Sequence, residues 1–174
     1  MEIRLLREGD DRSRFRSGDI DLDRFLQKYA GQNQFRHHIG TTYVAVQAER
    51  ILGYLTVAPG HVEIDDLPVP LRRKLPSYPL PVLRIGRLAV DESVRGQGVG
   101  KLLLRFALQL ALRLAREFGC VGVVVDAKTD SVSFYEKLGF MPLEILEGES
   151  EARPCPTALF LPIREIEAAR KRDR

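Results

Sequence analysis

Cysteine is scarce: Cys120 and Cys155 are the only two among 174 residues, in unrelated contexts and without a Cys-x-x-Cys spacing. Neither a zinc site nor a redox pair is expected from them, and no metal. Cys120 sits among apolar neighbours, where a free thiol serves as buried filler. Long hydrophobic runs are missing too. None approaches the roughly 20 residues that span a bilayer, so no membrane partner is expected. The start, Met1-Glu2-Ile3-Arg4-Leu5, alternates like a strand and lacks the apolar core of a signal peptide, which makes the cytoplasm the expected compartment. Charge of one sign is lacking as well: 27 basic and 24 acidic residues leave a net +3, which neither demands nor excludes a nucleic-acid partner. The tail Arg164–Arg174 mixes five basic with three acidic residues and reads as a solvated helix end, not a binding arm.

What is present suits one domain with one sizeable core: the length fits, and 44% of residues are hydrophobic. Met1–Leu6 reads as a strand. Asp19 offers N-cap chemistry ahead of Leu22, Phe25, Leu26 and Tyr29, whose spacing marks an amphipathic helix with a weak spot at Gly31 and an end at Gly40. Strands follow at Thr42–Gln47 and Ile51–Ala58, a hairpin that Pro59-Gly60 interrupts. Residues 65–81 hold five prolines and the basic triplet Arg72-Arg73-Lys74, so a loop with at most a short helix is predicted. Val82–Val90 is a strand. Leu102–Phe118 is a helix apolar nearly all round, with Leu103, Phe106, Leu110 and Leu114 as its stripe, which predicts a sandwiched position and a left-handed cap at Gly119. Val121–Ala127 reads as a buried strand, Val132–Leu138 as a short helix capped by Asp130-Ser131 and closed by Gly139, and Phe140–Leu146 and Thr157–Ile163 as two more strands. The order predicts an α/β (mixed α+β) fold: one mixed sheet of about six to seven strands with helices on both faces.

The segment Arg95-Gly96-Gln97-Gly98-Val99-Gly100 lies between a strand and the long helix. Its alternating glycines remove every Cβ from one side of the turn, so a ligand can approach the backbone. The free N–H groups of the helix start favour an anion there, and Arg95 and Lys101 add positive charge. A diphosphate cradle is the physical reading; a turn without a ligand is the bland one. A P-loop would need Gly-Lys-Ser/Thr, but Leu102 follows Lys101. A dinucleotide fold would put its first glycine directly after the strand and needs more chain than remains after Asp126. Coenzyme A is the third candidate.

Here a resemblance applies. Leu88-Ala89-Val90, four residues, Val94-Arg95-Gly96-Gln97-Gly98-Val99-Gly100, one residue and Leu102-Leu103 resemble the acetyl-CoA motif of the GNAT superfamily of N-acetyltransferases. Its Arg/Gln-x-x-Gly-x-Gly/Ala pattern is met by Arg95, Gly98 and Gly100. A second marker, Phe-Tyr-x-x-x-Gly-Phe, is met by Phe134, Tyr135, Gly139 and Phe140. Two markers in the right order are more specific than either alone.

The resemblance implies one N-acetyltransferase domain over residues 1–174, with an acceptor-side half (1–81), an acetyl-CoA-binding core (82–146) and a final strand and tail (147–174). It implies that the Leu88–Val90 strand splays from its neighbour, that the pantetheine arm pairs there like an added strand, and that the N–H of Leu88 or Val90 polarises the thioester carbonyl. Phe134 joins the implied cofactor contacts, and Tyr135 matches the family's general acid; the plain alternative for Tyr135 is a packing aromatic. No general base stands out. His37, His38 and His61 form no recognisable triad, and an α-amine with a pKa near 8 needs little help from a base.

The N-terminal half adds a branch. Residues 17–26, 30–34 and 41–44, with Pro81-Val82 and Arg87-Leu88-Ala89-Val90-Asp91, resemble the GNAT toxins of bacterial toxin–antitoxin pairs. That resemblance implies an aminoacyl-tRNA acceptor, blocked translation and a ribbon-helix-helix antitoxin partner. Arg36, Arg72, Arg73, Lys74, Arg84 and Arg87 are candidates for tracking RNA phosphates, against the plainer reading of solvated charges. A homodimer is the usual expectation for an oligomer. Two other classes remain at this point: a transferase for a small amine or a protein N-terminus, and a non-catalytic acetyl-CoA-binding module.

Overall fold

The computed structural model describes residues 1–143 and 156–172. One seven-stranded sheet runs through them in the order β1-β2-β3-β4-β5-β7-β6. By contacts the chain forms two compact units, Met1–Ala58 with Ile85–Gln109, and Pro59–Arg84 with Leu110–Arg174. Among the described residues no helix is long and apolar enough to cross a membrane.

In the first unit, β1 (Glu2–Leu5) pairs antiparallel with β2 (Thr41–Gln47), and β2 with β3 (Arg50–Val62). Thr42 stands opposite Thr56, and their buried hydroxyls bond at 2.8 Å, which fixes the register inside the apolar ladder. The turn between β2 and β3 is made by Ala48 and Glu49, both at positive φ (48° and 62°). Asn-Gly is the usual choice for that geometry because a Cβ is strained there. β3 runs on through Pro59-Gly60, contrary to the predicted interruption. The β2 ladder ends at Thr41 opposite Val57, before Pro59 is reached, so no β2 carbonyl calls for the N–H that Pro59 lacks.

Asp19 caps α1 (Ile20–Arg24) as predicted, accepting from the amides of Asp21 and Leu22. The chain then winds on in wider, π-type turns over Phe25–Tyr29 and Gln32–His37. Gly31 keeps helical angles, and the end falls at left-handed His38, two residues before the predicted Gly40. Phe25, Leu26 and Ala30 are buried with Phe15, Val44 and Tyr54 in this unit's core.

The second unit holds a core of Val62, Leu67, Leu80, Val82, Val124 and Phe160. The proline-rich stretch contributes a single 3-10 turn at Ile64–Asp66 and the short α2 (Val69–Arg72), as its composition predicts. β5 (Gly122–Ala127) pairs antiparallel with β7 (Thr157–Pro162), which also carries the two-residue β6 (Met141–Pro142). Of the predicted strand over 140–146, only Met141–Pro142 is strand among the described residues, and its last three residues, like Cys155, lie outside them. α5 (Ile163–Arg172) closes the described chain. Cys120 is buried, and burial pushes its thiol pKa up.

β4 (Leu80–Val90) and α3 (Val99–Glu117) each contribute residues to both units. α3 is not sandwiched. Lys101, Arg105, Gln109, Arg113 and Arg116 recur every three to four residues on an exposed stripe, while Leu103, Leu104, Ala107, Ala111 and Leu112 are buried. Gly119 follows it in the predicted left-handed conformation.

Candidate active site

The glycine-rich turn leaves β4 at Asp91, passes a single 3-10 turn (Glu92–Val94) and enters α3 at Val99. Gly96 (φ 79°) and Gly98 (φ 85°) are left-handed, and a Cβ on either would meet nothing within 4 Å. Glycine is thus required by the backbone angle, while the space beside it stays open, the form a cradle for an approaching ligand takes. The first helical bond runs from the Leu102 N–H to the Gly98 carbonyl at 3.0 Å. The amides of Val99, Gly100 and Lys101 precede it, and those of Gly96 and Gly98 have no protein acceptor among the described residues. Unpaired donors at a helix start, beside exposed Lys101 and Gln97, suit a phosphate. The residues present fit a coenzyme A diphosphate.

A network of hydrogen bonds holds this turn, and at its centre is Asp91, which the glycine motif does not single out. Its carboxylate is buried and accepts from the Arg16 amide (3.1 Å), the Ser93 amide (3.1 Å), the Ser93 hydroxyl (2.5 Å) and Arg50 (3.0 Å). Burial alone would raise its pKa, but the bonds from Ser93 and Arg16 outweigh that and hold the carboxyl below the usual range. The Glu92 amide returns a bond to the Arg16 carbonyl at 2.8 Å. Arg95 donates to the Ser17 carbonyl at 2.5 Å, and Ser17 is in turn gripped by Asp23 through its amide (2.8 Å) and hydroxyl (2.6 Å). The Arg95 side chain therefore braces the turn, leaving main-chain amides as its anion-facing groups. Asp-x-Ser is an Asx-turn signature, and it was the signal available for Asp91.

A second brace is Gly53 on β3. A Cβ there would sit 3.0 Å from Val99 and Leu103 side chains and 3.1 Å from the Ala89 carbonyl, so its absence lets the first turn of α3 seat against the strand. Leu88 and Val90 are half-buried and Ala89 is buried on the same strand end.

Tyr135 lies on α4 (Val132–Glu136), which a 3-10 turn at Thr129–Ser131 introduces. Ser131 occupies the N-cap but makes no side-chain cap bond there, unlike the prediction. Tyr135 is buried, its ring edge-on to Phe134 (5.1 Å) and Phe140 (5.5 Å). The family marker is therefore also an aromatic cluster, with Gly139 left-handed (φ 94°) to fold Phe140 back. Burial pushes the Tyr135 hydroxyl up to about 12, and among the described residues that hydroxyl has no hydrogen-bond partner. It is a protonated, uncommitted donor at neutral pH.

The basic candidates separate. Arg36, Arg73 and Lys74 are exposed. Arg72 is half-buried, its Nε donating to the Leu67 carbonyl at 2.6 Å. Arg87 lies 3.7 Å over the Phe25 ring, a cation–π contact. Arg84 pairs with Asp126, Nη2 to Oδ1 at 3.2 Å. His37, His38 and His61 are exposed, and His61 stands 3.9 Å from Glu63.

An open, amide-lined glycine turn after a strand in the middle of the sheet suits the diphosphate of an acyl-CoA donor. The acetyltransferase (GNAT) domain family matches residues 38–142, and the chain belongs to this family. A tRNA-acetylating toxin of Mycobacterium tuberculosis is 33% identical over 138 residues, 79% of this chain and 82% of the relative. Among solved structures, AtaT complexed with acetyl-methionyl-tRNAfMet aligns with a TM-score of 0.83 and 32% identity, over 97% of this chain and 98% of that one. A Tyr-to-Phe mutant of AtaT bound to acetyl-CoA and the C-terminus of the antitoxin AtaR aligns at 0.76 and 29%, over 97% and 96%.

Proposed function

We propose that this acetyltransferase moves an acetyl group from acetyl-CoA to the α-amino group of an aminoacyl-tRNA, in the cytoplasm, and so blocks translation as a toxin. The likeness along 97% of the chain to AtaT complexed with acetyl-methionyl-tRNAfMet carries the reading. The open glycine turn supports its cofactor half.

Bound acetyl-CoA supplies an activated thioester, whose C–S bond breaks as the amine nitrogen bonds to the acetyl carbon. The amides of Gly96, Gly98, Val99, Gly100 and Lys101 hold the diphosphate, with Arg95 fixing the turn that presents them. The N–H of Leu88 or Val90 polarises the carbonyl. Tyr135 donates its proton to the departing sulfur, and its raised pKa keeps that proton in place until then. The amine releases its own proton to water, since an α-amine with a pKa of about 8 is substantially neutral at physiological pH. Arg36, Arg73, Lys74 and Arg87 contribute phosphate contacts.

The partner of this reading is a ribbon-helix-helix antitoxin, and the working assembly a homodimer. Acetylation of total charged tRNA by the purified protein, read by mass spectrometry at the aminoacyl ends, tests the central claim.

A further inference from the structure

A cleft in the second unit is lined by Leu112 and Arg116 of α3 and by Glu167, Arg170 and Lys171 of α5. Its volume is about 340 Å³, against the ~30 Å³ that one liquid water occupies, which leaves room for a phosphate group with its hydration. Leu112 is buried and the four polar residues are exposed. Three cations thus line one hollow with a single carboxylate. Among the described residues, the side chains of Arg116, Arg170 and Lys171 make no hydrogen bond or ion pair, even with Glu167. In sequence the tail mixes its signs. Wound into α5, positions 167, 170 and 171 fall three and four apart on one face, and Arg116 meets them from α3. The helix dipoles favour cations in these last turns, which accounts for a cation at each helix end but not for three of them around one hollow.

We propose that this cleft binds the phosphodiester backbone of the acceptor RNA, supplying affinity without reading sequence. This rests on charged tRNA being the acceptor. Unpaired guanidinium groups match phosphate oxygens in bidentate fashion, and the proposed acceptor is itself a long polyanion.

The test compares full-length charged tRNA with an aminoacylated CCA trinucleotide, which lacks the stem whose phosphates the cleft would hold. The triple variant Arg116→Gln/Arg170→Gln/Lys171→Gln is expected to raise KM for charged tRNA about tenfold. It should also flatten the dependence of log KM on log salt by about one to three, roughly one per lost phosphate contact. Its kcat, and its kinetics on the trinucleotide, should match the wild type. Glu167→Gln, which removes the one repulsive charge, should lower KM for charged tRNA severalfold. Unchanged KM and salt slope in the triple variant would overturn the proposal, as would an equal loss on the trinucleotide. Retained tRNA kinetics with lost binding of a polyglutamate peptide would assign the cleft to an acidic protein segment instead, and so overturn it too. If the wild type acetylates neither substrate, the acceptor reading itself has failed, and the proposal with it.

Discussion

Asp91 and the main-chain amide of Arg16 lie 75 positions apart in sequence, yet bond at 3.1 Å. Through that bond the segment before α1 is tied to the start of the glycine-rich turn. Arg50 and Ser93 occupy the same carboxylate, and Arg95 makes a second tie to Ser17. The cradle is therefore held by residues from well before the motif that identifies it.

Asp91→Ala strips the buried acceptor from four donors. Hydrogen bonds to a charged group contribute about 1.5–3 kcal/mol each, and they are not additive. We expect a loss of at least about 2 kcal/mol in a denaturant titration, with weaker acetyl-CoA binding by calorimetry. Because the Asp91 pKa is depressed in the folded state, its contribution is present above the usual aspartate pKa and is lost as pH falls through the folded value. The stability gap between wild type and variant should accordingly close in acid.

Gly98→Val places a branched side chain at φ 85° beside the open face. Acetyl-CoA affinity is expected to fall by more than tenfold, about 1.4 kcal/mol or more, while circular dichroism stays that of a folded chain. Unchanged affinity would remove the diphosphate from this turn.

Tyr135→Phe keeps the aromatic cluster with Phe134 and Phe140 and deletes only the hydroxyl. The expected result is a kcat lowered by about 10²–10⁴ with acetyl-CoA affinity intact. Full turnover would leave Tyr135 a packing residue.

The pH profile should show one limb. Activity rises as the acceptor amine deprotonates near pH 8. With Tyr135 pushed up to about 12, no fall is expected by pH 10. A stability term runs alongside: a buried phenol favours the neutral form, so its contribution is complete below the unfolded tyrosine pKa of about 10 and is lost as pH rises through the folded value. A descending kcat/KM limb below pH 9 would contradict the assignment of Tyr135 as acid.

Glu49→Gly relieves a left-handed residue in the β2–β3 turn. A left-handed non-glycine residue costs about 1–2 kcal/mol, so a gain of roughly 1 kcal/mol is expected by denaturant titration, without change in kcat. A loss of stability would mean that Glu49 makes a compensating contact.

The glycine-rich turn and the Phe-Tyr marker were legible because their signals are local. The glycines at 96 and 98, the left-handed caps at Gly119 and Gly139, and the aromatic pair at 134–135 sit next to the elements they serve. What escaped was set by pairing across the sheet. The β2 ladder ends before Pro59, which removes one side's demand for its N–H, and no window around residue 59 can reveal that. α3 looked sandwiched because leucine fills four of its turns, yet its charged residues share one stripe. Arg95 and Asp91 stood inside the motif, but their partners at 16, 17 and 50 are far away in sequence.

The most direct test incubates purified protein with acetyl-CoA and total charged bacterial tRNA, with Tyr135→Phe alongside, and reads the aminoacyl ends by mass spectrometry. Acetylation confined to particular charged tRNAs, and lost in the variant, is the expected result. Charged tRNA left untouched by a protein that still binds acetyl-CoA would contradict the tRNA-directed reading and send the search for the acceptor to small amines and protein N-termini.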